Sequence, residues 1–288
     1  MSYNTFKLHA PAKINLFLHI TGRRDDGYHL LQSVMVFVDV GDELEFSPHD
    51  TLFIDVDGPF AGDMPPPHEN LIYKAAQLLA QEYKTTMRGA IRLTKRLPVA
   101  SGIAGGSSDT AAALRGLAKL WGLPEEQGRL QRIAEKLGAD VPACLIGRPV
   151  WAEGAGEKMM RLPEMPPLHF VLANPMIETP TPEVFRRFRE KYSAPLQFMG
   201  RKKSASEWVA DMKIYRNDLT EAAIEVTPAI STVLQAVHGL PGCRIARLSG
   251  SGATCFGVFD NAEAAMTAVN TLKQQYPRWW VAPTALVK

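Results

Sequence analysis

The residues most able to do chemistry lie in one run, Pro98-Val99-Ala100-Ser101-Gly102-Ile103-Ala104-Gly105-Gly106-Ser107-Ser108-Asp109. Its side chains are small, so a ligand could approach the backbone N–H groups closely. The run leads into Thr110-Ala111-Ala112-Ala113-Leu114, the start of an Ala- and Leu-rich helix reaching Trp121. The first-turn N–H groups and the dipole of such a helix favour an anion, and phosphate is the anion this loop suits. It is not a Walker A loop, because Gly106 is followed by Ser107 and not by Lys. The spacing of Gly102, Gly105 and Gly106 also differs from the dinucleotide fingerprint. The same residues would suit a plain glycine-rich turn before a helix capped by Ser107 or Ser108.

Three other places carry reactive side chains. Lys13 and Asn15 sit in Ala10–Ile20, whose alternation puts Ile14, Leu16, Leu18 and Ile20 on one strand face and Lys13, Asn15, Phe17 and His19 on the other. An isolated lysine there would ordinarily face water, and His19 reads as a structural surface histidine. Asp140 lies in Gly138-Ala139-Asp140-Val141-Pro142, where Pro142 biases Val141 away from helical geometry. That places Asp140 in a turn, as a cap or as a carboxylate in a partly desolvated cleft. Tyr28-His29 follow the turn Thr21–Gly27, which gives the aromatic ring no core to fill.

Around these residues the pattern is α+β with hairpins, unlike a regular βαβ series. Strands are expected over Leu31–Val40, Glu43–Phe46, Thr51–Val56, Ile91–Leu97, His169–Ala173 and Trp279–Val287, with a hairpin over Val150–Leu162. Asn70 caps a helix to about Tyr83 that buries Leu71, Ala75, Leu78, Leu79 and Tyr83. Pro124 opens a helix over Glu125–Leu137 that Gly138 ends. Helices start near Glu183, at Asn217–Thr220 and at Pro228, and another covers Ala262–Gln275. Residues 192–216 are the least patterned and read as mobile loop with a short helix; the basic cluster Arg201-Lys202-Lys203 reads as a solvated face. A second glycine-rich turn, Arg247-Leu248-Ser249-Gly250-Ser251-Gly252, runs into an apolar strand to Phe259. Pro163–Pro167 marks a boundary, dividing the chain into domains 1–163 and 164–288.

The chain has 288 residues, 46% hydrophobic and 22% charged, with a formal net charge of +2. That balance, without a basic aromatic surface, argues against nucleic acid. No run is long enough to cross a membrane, and Met1–Lys7 lacks the apolar core of a signal peptide. Cys144, Cys243 and Cys255 are odd in number and far apart, which gives neither a disulfide framework nor a zinc site. A cytoplasmic protein acting as a monomer or weak homodimer is expected.

Pro11-Ala12-Lys13-Ile14-Asn15-Leu16, the Pro98–Ser108 loop and Leu248-Ser249-Gly250-Ser251-Gly252-Ala253 together resemble the three motifs of the GHMP kinases. Lys13–Leu18, Gly22-Arg23-Arg24-Asp25-Asp26-Gly27-Tyr28-His29, Leu137–Pro142 and Thr179-Pro180-Thr181-Pro182-Glu183-Val184-Phe185 resemble the branch acting on 4-diphosphocytidyl-2-C-methyl-D-erythritol. In Ala100–Gly105 this chain has Ala and Ser where that branch often has more glycine.

The resemblance implies a two-domain fold, a ribosomal-protein-S5-like N-terminal domain and a ferredoxin-like C-terminal domain, with the active site in the cleft. It implies ATP-dependent phosphorylation of the substrate's 2-hydroxyl, in the non-mevalonate route to isoprenoid precursors. Lys13 and Asp140 are then the catalytic pair. The N–H groups of Pro98, Val99, Ala100, Ser101, Gly102, Ile103, Ala104, Gly105, Gly106, Ser107 and Ser108 cradle the ATP phosphates, with Mg2+ bridging their oxygens and no protein ligand assigned to it. Asn70 and Lys95 line the adenine and ribose pocket. Tyr28 and Phe185 stack on the cytosine, His29 hydrogen-bonds it, and Asn15, Thr181 and Asp140 hold the rest of the small-molecule substrate. Other GHMP kinases, on mevalonate or homoserine, and a non-catalytic ligand sensor on the same fold are the rival readings.

Overall fold

A computed structural model describes residues 5–66, 69–124, 126, 128–189, 191–198 and 203–287. The chain divides into two compact units, one of residues 1–12, 41–99 and 104–147, the other of 13–40, 100–103 and 148–288. Two long strands contribute residues to both: β1 (Phe6–Arg23) and β2 (His29–Ser47). The two strands expected at Leu31–Val40 and Glu43–Phe46 are thus one continuous β2.

In the first unit, the end of β2 pairs antiparallel with β4 (Gly89–Thr94), Leu44 opposite Leu93 and Phe46 opposite Ile91. β3 (Leu52–Asp57) pairs parallel with β4. Four helices complete this unit among the described residues: α1 (Leu71–Tyr83), α2 (Gly105–Leu120), α3 (Arg129–Leu137) and α4 (Val141–Ile146). Asn70 caps α1 as its sequence signals, its Oδ1 accepting the Ile72 N–H at 2.9 Å. The fully buried face of α1 is Ile72, Ala75, Ala76, Leu79 and Ala80, so the helix is rotated and Leu71, Leu78 and Tyr83 are only half-buried. Helix α3 begins at Arg129 because Gly128 before it is left-handed, with φ +86°. The expected start at Glu125 lies outside the described residues.

Helix α2 departs from the expected cap. Its N-cap is Ala104, at φ 54°, and no side chain caps it. Ser107 and Ser108 fall inside the first turn, so neither can serve as the cap. Helix α4 begins at Val141 despite Pro142, because a proline in the first turn removes only an N–H that lacks a helical acceptor anyway.

In the second unit, the start of β2 pairs antiparallel with β5 (Val150–Gly154), and β5 with β6 (Lys158–Arg161), the expected hairpin. An antiparallel sheet of four strands has the order β10–β7–β9–β8, with β7 His169–Asn174, β8 Ile245–Leu248, β9 Cys255–Phe259 and β10 Trp280–Ala285. Five helices belong to this unit among the described residues: α5 (Thr181–Arg187), α6 (Ala205–Ile214), α7 (Thr220–Val226), α8 (Ala229–His238) and α9 (Ala262–Gln275). Leu18, Ile20, Val171, Ile230, Val233, Cys255, Val269 and Leu272 share one apolar core.

The described residues of 192–216 include the short helix that the sequence suggests, α6. Ser204 and Glu207 form a capping box at the start of α6, and Trp208 and Met212 bury one side of it. Leu196 exchanges two hydrogen bonds with the Gln32 side chain, at 2.7 and 3.1 Å. Arg201 and Lys202 of the basic cluster lie outside the described residues, and Lys203 pairs with Asp211.

Candidate active site

β1 carries Lys13 and Asn15 on one face, as the alternation requires, but that face is not in water: Lys13 is 3% exposed and Asn15 1%. Lys13 Nζ donates to Asn15 Oδ1 at 2.9 Å, and Asn15 Nδ2 donates to Ser33 Oγ at 2.8 Å. Ser33 Oγ in turn donates to Phe17 O at 2.6 Å. The asparagine therefore fixes the ammonium group, and a serine on β2 fixes the asparagine. Holding a buried ammonium by hydrogen bonds offsets part of its desolvation cost. His19, two steps further along that face, is also buried; its Nε2 accepts the Arg216 N–H at 3.3 Å.

The glycine-rich loop meets the second glycine-rich turn. Ser249 Oγ accepts the Asn15 N–H at 3.2 Å and donates to Gly102 O at 3.1 Å. Thr254 N donates to Ser101 O at 3.1 Å, and Lys13 N donates to Ile103 O at 2.9 Å. Gly102 has φ +77°, and a Cβ there would stand 2.5 Å from Gly252 O and 2.8 Å from Ser249 O. The two backbones approach as closely as they do because this residue has no side chain. Asn217 Nδ2 holds the turn from its other side, donating to Leu248 O at 3.0 Å and Gly250 O at 2.7 Å.

Where the loop becomes α2, Ser108 N donates to Ala104 O at 2.8 Å, the helix's first internal bond. The N–H groups of Gly105, Gly106 and Ser107 have no acceptor within the helix, as at any helix start. Gly106 is exposed and a Cβ there would meet nothing within 4 Å. Pro98, Ser101, Ile103, Gly105 and Ser108 are buried, while Val99 and Ala100 are exposed. Two of the loop's alanines, Ala100 at φ 50° and Ala104 at φ 54°, hold left-handed backbone. The stretch where the resemblance anticipates more glycine includes both of these left-handed alanines.

Asp140 is half-buried at the N-cap of α4, and its side chain does not cap that helix. Arg115 of α2 holds the other end of α4, Nη1 donating to Cys144 O at 3.1 Å and Leu145 O at 3.2 Å. Lys95 is 1% exposed, with its Nζ 2.5 Å from Asp42 Oδ2 and 2.8 Å from Asp109 Oδ2. Asn70 is buried, its side-chain oxygen engaged in capping α1.

A cluster of aromatic rings surrounds His29. Phe185 of α5 lies 5.3 Å from it, tilted by 32°, and Phe188 meets it edge-on at 5.6 Å. Phe185 also packs on the unit's core, so it anchors α5 while offering a ring to the histidine. Tyr28 is 66% exposed on the Arg24–Tyr28 turn, which Arg24 N closes onto Tyr28 O at 2.7 Å. Thr181 Oγ1 lies 2.7 Å from Ser251 Oγ, which joins α5 to the second glycine-rich turn.

Sequence reasoning misses Asp42, Asp109, Ser33 and Asn217 as supporting residues. Asn217 has a readable signal, an Asn before a helix, but that signal points only to α7. No group of three His, Cys, Asp or Glu side chains suited to a metal ion occurs among the described residues.

The sequence pattern of the GHMP kinases N terminal domain matches residues 70–148, and that of the GHMP kinases C terminal domain matches residues 201–278. A protein from Paramagnetospirillum magneticum named 4-diphosphocytidyl-2-C-methyl-D-erythritol kinase is 46% identical over 98% of this chain and 99% of its own. One of the same name from Ruegeria pomeroyi is 47% identical over 95% of this chain and 96% of its own. The crystal structure of a 4-(cytidine 5'-diphospho)-2C-methyl-D-erythritol kinase superposes with a TM-score of 0.81 at 31% identity, covering 98% of this chain and all (100%) of that one. A homoserine kinase from Cytophaga hutchinsonii shares the fold at 18% identity, with a TM-score of 0.69 over 100% of this chain and 96% of its own. With Lys13 and Asn15, both glycine-rich segments and the His29–Phe185 pair all lying within that near-full-length likeness, the chain belongs to the 4-diphosphocytidyl-2-C-methyl-D-erythritol kinase family of the GHMP kinases.

Proposed function

We propose that this protein transfers the γ-phosphoryl group of ATP to the 2-hydroxyl of 4-diphosphocytidyl-2-C-methyl-D-erythritol, giving the 2-phosphate and ADP in the non-mevalonate route to isoprenoid precursors. The observation that carries the reading is the 46% identity over 98% of the chain to a relative named for that substrate. The His29–Phe185 pair supports it, since an aromatic face beside a hydrogen-bonding ring suits a nucleobase and has no use with mevalonate or homoserine.

In this reading the first-turn N–H groups of Gly105, Gly106 and Ser107, with the loop before them, hold the phosphates at the positive end of α2. Lys13, kept in place by Asn15, offers positive charge to the phosphoryl group in transfer. Asp140 orients the hydroxyl and receives its proton as the new O–P bond forms and the bond to the leaving ADP breaks. Tyr28 and Phe185 stack on the cytosine, His29 bonds its edge, and Asn15 and Thr181 hold the polyol and diphosphate. Asn70 and Lys95 lie on the adenine and ribose side of the nucleotide in the same reading. Magnesium bound with ATP would supply charge neutralisation on the phosphates, with no protein ligand assigned to it. A cytoplasmic monomer or weak homodimer belongs to the same reading.

The test follows ADP release from ATP and magnesium with either the cytidylyl substrate or mevalonate. Release is expected with the first alone, and Asp140→Asn should lower kcat by about 10²–10⁴-fold while nucleotide affinity stays near wild type. Release with mevalonate instead would overturn the substrate assignment and leave the fold standing.

A further inference from the structure

Lys95, Asp42 and Asp109 form a charge cluster sealed from water at 1%, 0% and 1% exposure. Its members bracket the glycine-rich loop. Asp42 Oδ1 accepts the backbone N–H groups of Arg96 at 2.5 Å and Leu97 at 2.8 Å, the last two residues before Pro98. Asp42 Oδ2 accepts from Lys95 Nζ at 2.5 Å. The same ammonium donates at 2.8 Å to Asp109, the first residue after Ser108. One ammonium and one carboxylate thus tie down the chain on both sides of the loop. The ammonium also lies beneath the start of α2, where a Cβ on Gly105 would come within 3.1 Å of Lys95 Nζ.

Three buried charges in so small a volume are a costly way to gain stability, since well-packed apolar side chains do as well or better. What charges provide here is directional fixing of particular backbone groups. Burial, with Asp42 adding to it against the pull of Lys95, pushes Asp109 up to about 8, which lowers the negative charge held beneath an anion site.

We propose that Asp42 and Asp109 are positioning residues for the nucleotide: acting through Lys95, they fix the two ends of the glycine-rich loop so that the first-turn N–H groups of α2 converge on the ATP phosphates. The proposal rests on the reading that this loop holds those phosphates. Asp42→Asn keeps the shape and an oxygen for the Arg96 and Leu97 N–H groups, but turns an amide N–H₂ toward Lys95, which breaks the link between the ammonium and the leading side. Asp109→Ala leaves the Asp42 bonds intact and severs only the trailing side. Gly106→Val is the control for the loop itself, because its side chain would enter open space in front of the helix start.

The experiment measures dissociation constants for ATP and, separately, for cytidine diphosphate, well below each variant's Tm, with amide hydrogen exchange at Gly105–Ser107. Asp42→Asn is expected to weaken ATP binding about tenfold, as a small displacement of positioned groups does, and Asp109→Ala by less. Cytidine diphosphate affinity should stay within about twofold of wild type, and with ATP bound exchange at the three amides should quicken. ATP affinity within that same margin, or an equal loss for both ligands, overturns the proposal and reduces the cluster to a stability element. Where Asp42→Asn does not fold, Asp109→Ala decides. If Gly106→Val still binds ATP normally, the loop reading falls and the proposal with it. If Gly106→Val loses ATP while both aspartate variants keep it, only the positioning role falls.

Discussion

Two glycines of the same loop should respond to the same substitution with opposite signs in stability. At Gly102, alanine would have to hold φ +77°, which costs about 1–2 kcal/mol for a residue with a Cβ. Its Cβ would also lie 2.5 Å from Gly252 O and 2.8 Å from Ser249 O, well inside contact distance and against backbone rather than a side chain that can swing away. Overpacking of that kind costs about 1–3 kcal/mol more, giving roughly 2–5 kcal/mol in all. Displacing Ser249 also loosens Asn15, whose N–H it accepts, so the loss should reach kcat. At Gly106 a Cβ meets nothing, and alanine in a helical position gains up to about 1 kcal/mol over glycine. That methyl would nonetheless stand where the phosphates are read to bind. Differential scanning fluorimetry and steady-state kinetics with ATP as the varied substrate separate the two. Gly102→Ala should lower Tm by several degrees and depress kcat; Gly106→Ala should hold or raise Tm and increase KM for ATP. A Gly102→Ala protein with wild-type Tm and kcat would refute the packing argument, and a Gly106→Ala protein with unchanged KM would refute the phosphate assignment.

Ala100→Gly and Ala104→Gly should each be neutral to stabilising, by about 0–1 kcal/mol, because relief of left-handed backbone outweighs the added freedom of the unfolded chain; chemical denaturation checks it. Asp109 has its folded pKa, about 8, above its ordinary 3.8, so its contribution is present in full below about 3.8 and is lost as pH rises through about 8. Unfolding free energy measured between pH 5 and pH 8 should therefore fall with pH, relative to Asp109→Asn, and parallel curves would contradict the buried proton. Arg247 donates to Leu16 O and Tyr215 O, each at 2.6 Å, and to Met212 O, and burial pulls its guanidinium down to about 10. Arg247→Met should cost about 2–5 kcal/mol in equilibrium unfolding, since it strands buried carbonyls without a donor.

What could be read from the sequence was what repeats locally. The period-two alternation in β1 puts Lys13 and Asn15 together, and α9 spans Ala262–Gln275 as its apolar spacing indicates. The Asn70 cap is local too. Burial of the polar face of β1 was not legible, because alternation says which residues share a face and not what covers it. The start of α2 escapes local reading for a related reason: Ser107 and Ser108 are good caps by type, but a left-handed Ala104 fixes the boundary first. The Asp42–Lys95–Asp109 cluster joins residues 53 and 14 positions apart, a pairing that no local pattern encodes. For α6 a signal did exist, Ser204 followed three residues later by Glu207, inside a segment whose composition resembles loop.

The Ser249 hydroxyl is a joint among three distant stretches of chain: it takes an N–H from Asn15 and gives its own proton to the Gly102 carbonyl. A single small group of fixed length thus sets the spacing of all three, and none can be altered alone without misfitting the other two. Grafting one of these stretches from a remote family member should yield a poorly active hybrid, whereas grafting all three together should restore function. Amino-acid changes in one stretch are then tolerable only on a background that already suits them, so across the family the three should drift as one unit.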